Sequence, residues 1–280
     1  MKILTIKKIT FIMMAFLTAG CGGYNKILKS SDNELKYKAA LKYFNKGDFA
    51  RSTPLFEALG MPFEGTQRQD TVNYYEAKGY YMLHDYEVAD SYLANFCRVF
   101  GRSKFAEEAY YLRAKNLYRM SFRSELDQAN TVKAIAAFSE FHSKYPESEL
   151  GKNDKNHFTE LQNRLDHKAF MSAKLYYQID DYKAAIVALR NSVKDYPNSQ
   201  YKEEQMFLIL KSSYVYAKKS VKKRQAERYI AAIDEYYNFM SEFPESKYSK
   251  EAENMYQEAL SFTKKRGLSL EAETPQDVNK

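Results

Sequence analysis

The chain has 280 residues, with 25 Tyr, 18 Phe, 10 Gly, 6 Pro and no Trp. Scarce Gly and Pro among abundant Ala, Leu, Lys and Glu favour helices and exclude a collagen, a disordered chain and a Gly-rich nucleotide-binding enzyme. The net charge of +7, from 43 Lys+Arg against 36 Asp+Glu, is mild and evenly spread, so no nucleic-acid partner is called for.

The first twenty residues read as an address. Lys2, Lys7 and Lys8 precede an apolar run from Ile9 to Ala19, broken only by Thr10 and Thr18. As a helix that run rises about 16 Å, short of a roughly 30 Å hydrocarbon core, so 1–20 reads as a secretory signal. The sequence Leu17-Thr18-Ala19-Gly20-Cys21 resembles a bacterial lipobox, with Thr18 where the usual Leu stands. The resemblance implies that Cys21 becomes the lipidated first residue of the mature chain. An ordinary signal peptide beside a chance cysteine is the other reading. Cys97 shares an apolar helical register with Leu93 and Phe96, which points to a buried and inert thiol.

Residues 21–33 read as a tether that follows the anchor. Periodicity then predicts helices at 34–45, 49–59, 70–83, 86–99, 104–120 and 129–143. Further helices are predicted at 152–178, 182–195, 200–219, 223–241 and 247–264, and 265–280 reads as a polar disordered tail. Within 34–264 an eight-residue signature recurs: aromatic, two residues, a small or apolar residue, usually Lys, two residues, aromatic. It stands at Tyr37-Ala40-Leu41-Phe44, Tyr74-Ala77-Lys78-Tyr81 and Tyr111-Ala114-Lys115-Tyr118. It returns at Phe170-Ala173-Lys174-Tyr177 and Phe207-Leu210-Lys211-Tyr214, with intervals of 37, 37, 59 and 37 residues.

A second signature follows the later copies. Ala134, Phe138, Phe141 and Pro146 have the spacing of Ala185, Leu189, Ser192 and Pro197, and of Ala232, Tyr236, Phe239 and Pro244. Each proline stops a helix, and the serine two places on (Ser148, Ser199, Ser246) can cap the next. Acids just inside the new helix (Glu203, Glu204, Glu251) suit its positive end.

Together these signatures resemble the tetratricopeptide repeat, in which antiparallel helix pairs pack through small residues. The expected fold is therefore all-α, a tetratricopeptide-like helical-repeat solenoid of about five helix pairs. Asn45-Lys46-Gly47-Asp48-Phe49, His84-Asp85-Tyr86 and Asp180-Asp181-Tyr182 fit its inter-helix turns. Aromatic, Lys and aromatic at i, i+4 and i+7 share one helix face. In such arrays the first helices line a groove, so Tyr37, Leu41, Phe44, Tyr74, Lys78, Tyr81, Tyr111, Lys115 and Tyr118 form a candidate peptide-binding stripe. Packing of the same aromatics from repeat to repeat, with solvated lysines, is the other reading.

Catalytic and metal motifs are missing from the sequence. The four histidines (His84, His142, His157, His167) have no zinc-ligand spacing, and no nucleophile elbow or phosphate-binding Gly loop occurs. No cofactor, metal or enzyme activity is expected. The basic run from Lys218 to Arg224 could touch lipid or nucleic acid, but at a helix–helix turn it reads as a solvated segment.

The lipobox, the five repeats and the three proline turns, in this order, resemble the BamD-like outer-membrane protein assembly lipoproteins from Cys21 to about Lys264. That resemblance implies an outer-membrane location, lipid-anchored and facing the periplasm. It implies docking of the C-terminal repeats to the periplasmic domains of the β-barrel assembly subunit. The N-terminal repeats are then expected to receive the C-terminal targeting strand of unfolded outer-membrane proteins. A tetratricopeptide lipoprotein that scaffolds other cell-envelope enzymes is the competing binding-class reading. A peptidoglycan hydrolase is the catalytic one, for which the sequence offers no acid in a plausible site.

Overall fold

A computed structural model describes residues 21–152 and 154–265. The signal segment 1–20, and all of the expected tail except Lys265, lie outside the described residues. Among the described residues there are twelve α-helices and no strand. In chain order they are α1 (Cys21–Leu28), α2 (Asn33–Asn45), α3 (Phe49–Glu57), α4 (Gln69–Met82), α5 (Tyr86–Val99) and α6 (Ala106–Met120). Then come α7 (Ala129–Lys144), α8 (Lys155–Gln178), α9 (Tyr182–Asp195), α10 (Lys202–Lys218), α11 (Lys222–Glu242) and α12 (Ser249–Lys264). This is the all-α, tetratricopeptide-like class that the sequence leads one to expect. Successive helices pack as neighbours, α2 on α3, α4 on α5, α6 on α7 and α10 on α11 among them.

The chain divides into two compact units, 1–161 and 162–280, and the division falls within α8. In the first unit, Leu161 packs with Ala114, Leu117, Ala134 and Phe138. In the second, Phe170 and Ala173 pack with Ala185 and Leu189. The 24-residue α8 starts early: Phe170 stands 15 residues past its first residue, where Tyr74, Tyr111 and Phe207 stand 5 past theirs. That supplies 10 of the 22 residues by which the interval of 59 exceeds the intervals of 37, and the longer connections around α7 supply most of the rest.

Three turns share one local chemistry. Gly47, His84 and Asp180 hold positive φ angles of 75°, 63° and 65°. Each is followed by an aspartate whose carboxylate accepts a backbone N–H three residues on: Asp48 from Arg51, Asp85 from Val88 and Asp181 from Ala184. A left-handed residue ends one helix and the Asp caps the next, which sets the chain reversal within a few residues.

The small residues of the signature sit where helices meet. Ala40, Ala77, Ala114 and Ala173 are buried, as is Leu210 in the fifth copy. Gly79 extends this close approach: a Cβ there would lie 2.2 Å from Thr53 Oγ1. Cys97 is buried as expected, and burial pushes its thiol up to about 12, so it is inert near neutral pH.

One expectation is corrected at the N-terminal end. Residues 21–28, read as tether, form α1. Its Tyr24, Ile27 and Leu28 share one helix face and pack on the cluster of Leu55, Phe56 and Leu59. The Tyr24 hydroxyl also donates to the Arg51 carbonyl at 3.1 Å.

Candidate functional site

The stripe of aromatics and lysines builds the junctions between consecutive repeats. Tyr74 of α4 stacks face to face on Phe105, with centroids 4.3 Å apart, just before α6 begins. Phe170 stacks on Tyr201 at 5.0 Å, and Phe207 on Tyr248 at 4.2 Å, at the same register. Three of the four lysines then reach a glutamate in the first turn of the next first helix. Lys78 donates to Glu108 at 2.6 Å, Lys174 to Glu204 at 2.6 Å, and Lys211 pairs with Glu251 at 2.7 Å.

The capping serines complete each junction. Ser103 accepts the Phe105 N–H and donates back to Asp70 at 2.7 Å. Ser246 accepts the Tyr248 N–H and donates to Glu203 at 2.6 Å. Ser199 accepts the Tyr201 N–H and hydrogen-bonds Asp166. Stacking, ion pair and serine together fix the register of one repeat on the next. The partly exposed ion pairs contribute at most about 1 kcal/mol each, so apolar burial supplies most of the stability and the charges supply alignment.

This geometry corrects part of the candidate stripe. Tyr74 is 1% exposed and belongs to the core, so it does not line a groove. Lys78 spends its charge on Glu108 and on the Tyr74 hydroxyl at 3.1 Å. Burial acts against ionisation of Glu108, but Lys78 and Tyr74 outweigh it and hold that carboxyl below its usual range. Tyr37 is half-buried, stacked on Phe63 at 5.6 Å beneath the Arg68 guanidinium. Leu41 and Phe44 are half-buried against the first cluster, with Phe44 edge-on to Tyr75 at 4.8 Å. Tyr81 is half-buried near Tyr86.

The third copy departs from the pattern. Leu150 takes the place of a stacking aromatic two residues after Ser148, and Ser148 keeps its bond to Glu107 at 2.6 Å. Tyr111 turns instead to Asp154, at 3.3 Å, and burial followed by that carboxylate pushes its hydroxyl up to about 12. Tyr118 donates to Glu160 and meets the His157 ring edge-on. Lys115 lies 5.7 Å over Tyr111 and has no ion pair among the described residues.

Two of the histidines take structural places. His142 and His157 lie 3.6 and 3.3 Å from the buried carboxylate of Asp154. Three of the five cations in the basic run are paired locally, Lys218 near Glu258, Lys219 on Asp180 and Arg224 on Glu227. Sequence reasoning missed Phe105, Tyr201 and Tyr248 as partners of the stripe. The signal was present as an aromatic two residues after each of three capping serines.

Comparison with known proteins adds what the geometry alone does not supply. A family model described as outer membrane lipoprotein (YfiO) matches residues 29–227 and 176–261, which spans nearly the whole helical array. The chain belongs to that family. This outer membrane lipoprotein is 21% identical over 210 residues to the outer membrane protein assembly factor BamD of Caulobacter vibrioides, covering 73% of this chain and 68% of the relative. Among solved structures it is similar to the TPR2AB-domain:pHSP90 complex of yeast Sti1. That likeness has 13% identity, 82% coverage of this chain, 99% of the other and a TM-score of 0.37, and carries no argument of its own.

Proposed function

We propose that this outer membrane lipoprotein is a scaffold of β-barrel assembly, anchored through lipid on Cys21 and facing the periplasm. Its C-terminal repeats dock the periplasmic domains of the barrel subunit. Its N-terminal repeats receive the C-terminal targeting strand of unfolded outer-membrane proteins. The observation that carries this reading is the family match over 29–261, joined by a BamD relative whose name states an assembly role. The lipobox ending at Cys21 supports the anchor. The surface offered to the strand is the remaining part of the stripe: Tyr37, Leu41, Phe44, Tyr81, Tyr111, Lys115 and Tyr118. A strand repeats every second residue, so its apolar side chains can lie along these half-buried rings.

Affinity purification after detergent extraction tests the reading. A β-barrel subunit with periplasmic repeats is expected among the retained proteins. Retention of cell-wall enzymes alone would overturn it in favour of a general envelope scaffold.

The anchor has its own test. Cys21→Ser should move the protein from the membrane pellet to the soluble fraction or leave its signal uncleaved, and wild type should incorporate labelled fatty acid. Unchanged fractionation with no label in wild type would rule out lipidation at this residue.

A further inference from the structure

Two hairpin turns of this chain present the same backbone to a cation, and they differ in what neutralises it. Between α8 and α9, Asp180 sits at φ 65° and its carboxylate lies 3.0 Å from the Lys219 ammonium, just past α10. The Tyr182 hydroxyl donates to that carboxylate, and Lys219 covers the Tyr182 ring at 4.8 Å. Between α4 and α5, His84 holds the same conformation at φ 63°, followed again by Asp and Tyr, here Asp85 and Tyr86. The cation beside it is Arg119, in the last turn of α6. His84 brings no carboxylate, and Arg119 has no ion pair among the described residues. Between them is a cavity of about 240 Å³ lined by Tyr81, Met82, His84, Tyr86 and Arg119.

We propose that this cavity is a carboxylate-binding site for an incoming peptide, filled from outside where the other turn uses its own Asp180. The Arg119 guanidinium can meet a carboxylate with two parallel N–H groups. Tyr86 occupies the turn position of Tyr182, so its hydroxyl is the second donor. The His84 ring lies against Tyr86, with centroids 5.7 Å apart, and holds that wall in place. Tyr81 and Met82 supply apolar area for the side chain next to the carboxylate. The volume is below the roughly 300–1,000 Å³ of pockets that take drug-sized ligands, so the site takes one residue of a peptide. The inference rests on the reading that the N-terminal repeats receive a peptide. The carboxylate can be a chain terminus or an acidic side chain, and the test separates the two.

Full-length protein in detergent is titrated with three labelled hexapeptides of alternating apolar and polar residues. The first ends in phenylalanine as the free acid, the second is its amide, and the third is the amide with glutamate next to last. Wild type should bind the free acid, or the glutamate peptide if the side chain is the source, about fivefold more tightly than the plain amide, the size of one exposed charge pair. Arg119→Gln should erase the preference. His84→Asp should erase it too, because it installs the internal carboxylate of the other turn, and Asp tolerates the left-handed backbone. Arg119 and His84 are exposed, so both variants should keep the wild-type circular dichroism and melting curve. Equal binding of all three peptides, or a preference that survives in both variants, overturns the site while leaving peptide binding intact. No binding of any of the three to wild type overturns the peptide reading and the site with it.

Discussion

Tyr74→Ala is expected to lower the unfolding free energy by about 3–5 kcal/mol, the range for removing a fully buried aromatic ring. The ring lies 4.3 Å from Phe105 and 5.8 Å from Phe96, and its hydroxyl accepts from Lys78 at 3.1 Å. Deletion would leave a cavity at the junction between α4 and α6 and strip Lys78 of one of its two partners. Tyr74→Phe keeps the stack and loses only the hydroxyl, so it should cost about 1 kcal/mol. Urea unfolding midpoints of the two variants separate ring from hydroxyl. A loss below about 1 kcal/mol for the alanine variant would mean that the stack does not hold the repeats together. Any peptide-binding defect of Tyr74→Ala is then a defect of fold, and the half-buried Tyr81 is the better probe of the stripe.

The second large effect is a pH dependence at Glu76. Its side chain is 4% exposed, with the Tyr92 hydroxyl as hydrogen-bond partner and the Glu57 carboxylate nearby. Burial raises its carboxyl from the ordinary 4.5 to about 7; the Tyr92 bond opposes this and Glu57 reinforces it. Between those values the folded chain keeps a proton that the unfolded chain has released. Stability contributed by the neutral acid is therefore complete below pH 4.5, falls as pH rises towards 7, and stays lost above it. The shift corresponds to an effect on the order of 3 kcal/mol. Glu76→Gln is neutral at every pH and can still accept from Tyr92. It should be more stable than wild type by that order at pH 8 and nearly equal to it at pH 4. Parallel stability curves for the two proteins across this range would contradict the assignment.

What the sequence revealed follows from how local each signal is. The turns at Gly47, His84 and Asp180 were readable because a positive φ, a capping Asp and a following aromatic are adjacent residues. Helix bounds such as 86–99 and 182–195 match α5 and α9 for the same reason. The lysine column was readable as a column but not as a set of ion pairs. Its partners Glu108, Glu204 and Glu251 lie 30 to 40 residues away and come close only once the repeats are stacked. The same holds for the rings: periodicity placed Tyr74 and Tyr81 on one face, but only the position of Phe105 decides that the first is core and the second half-exposed. Helix α1 escaped notice because eight residues with two glycines give a weak pattern, and its apolar face is explained by the α3 cluster it covers. The stripe is thus largely the fastening between repeats. On the function proposed above, the surface offered to a peptide lies where the fastening is incomplete, around Lys115, and along the half-buried Tyr37, Leu41 and Phe44.

The most direct test of an assembly role is to deplete the protein from its own cells and measure the folded, heat-modifiable fraction of outer-membrane β-barrel proteins. The account predicts that this fraction falls while unfolded precursors accumulate in the periplasm. Barrel proteins that fold at wild-type levels, with cell-wall enzymes losing their place instead, would contradict it.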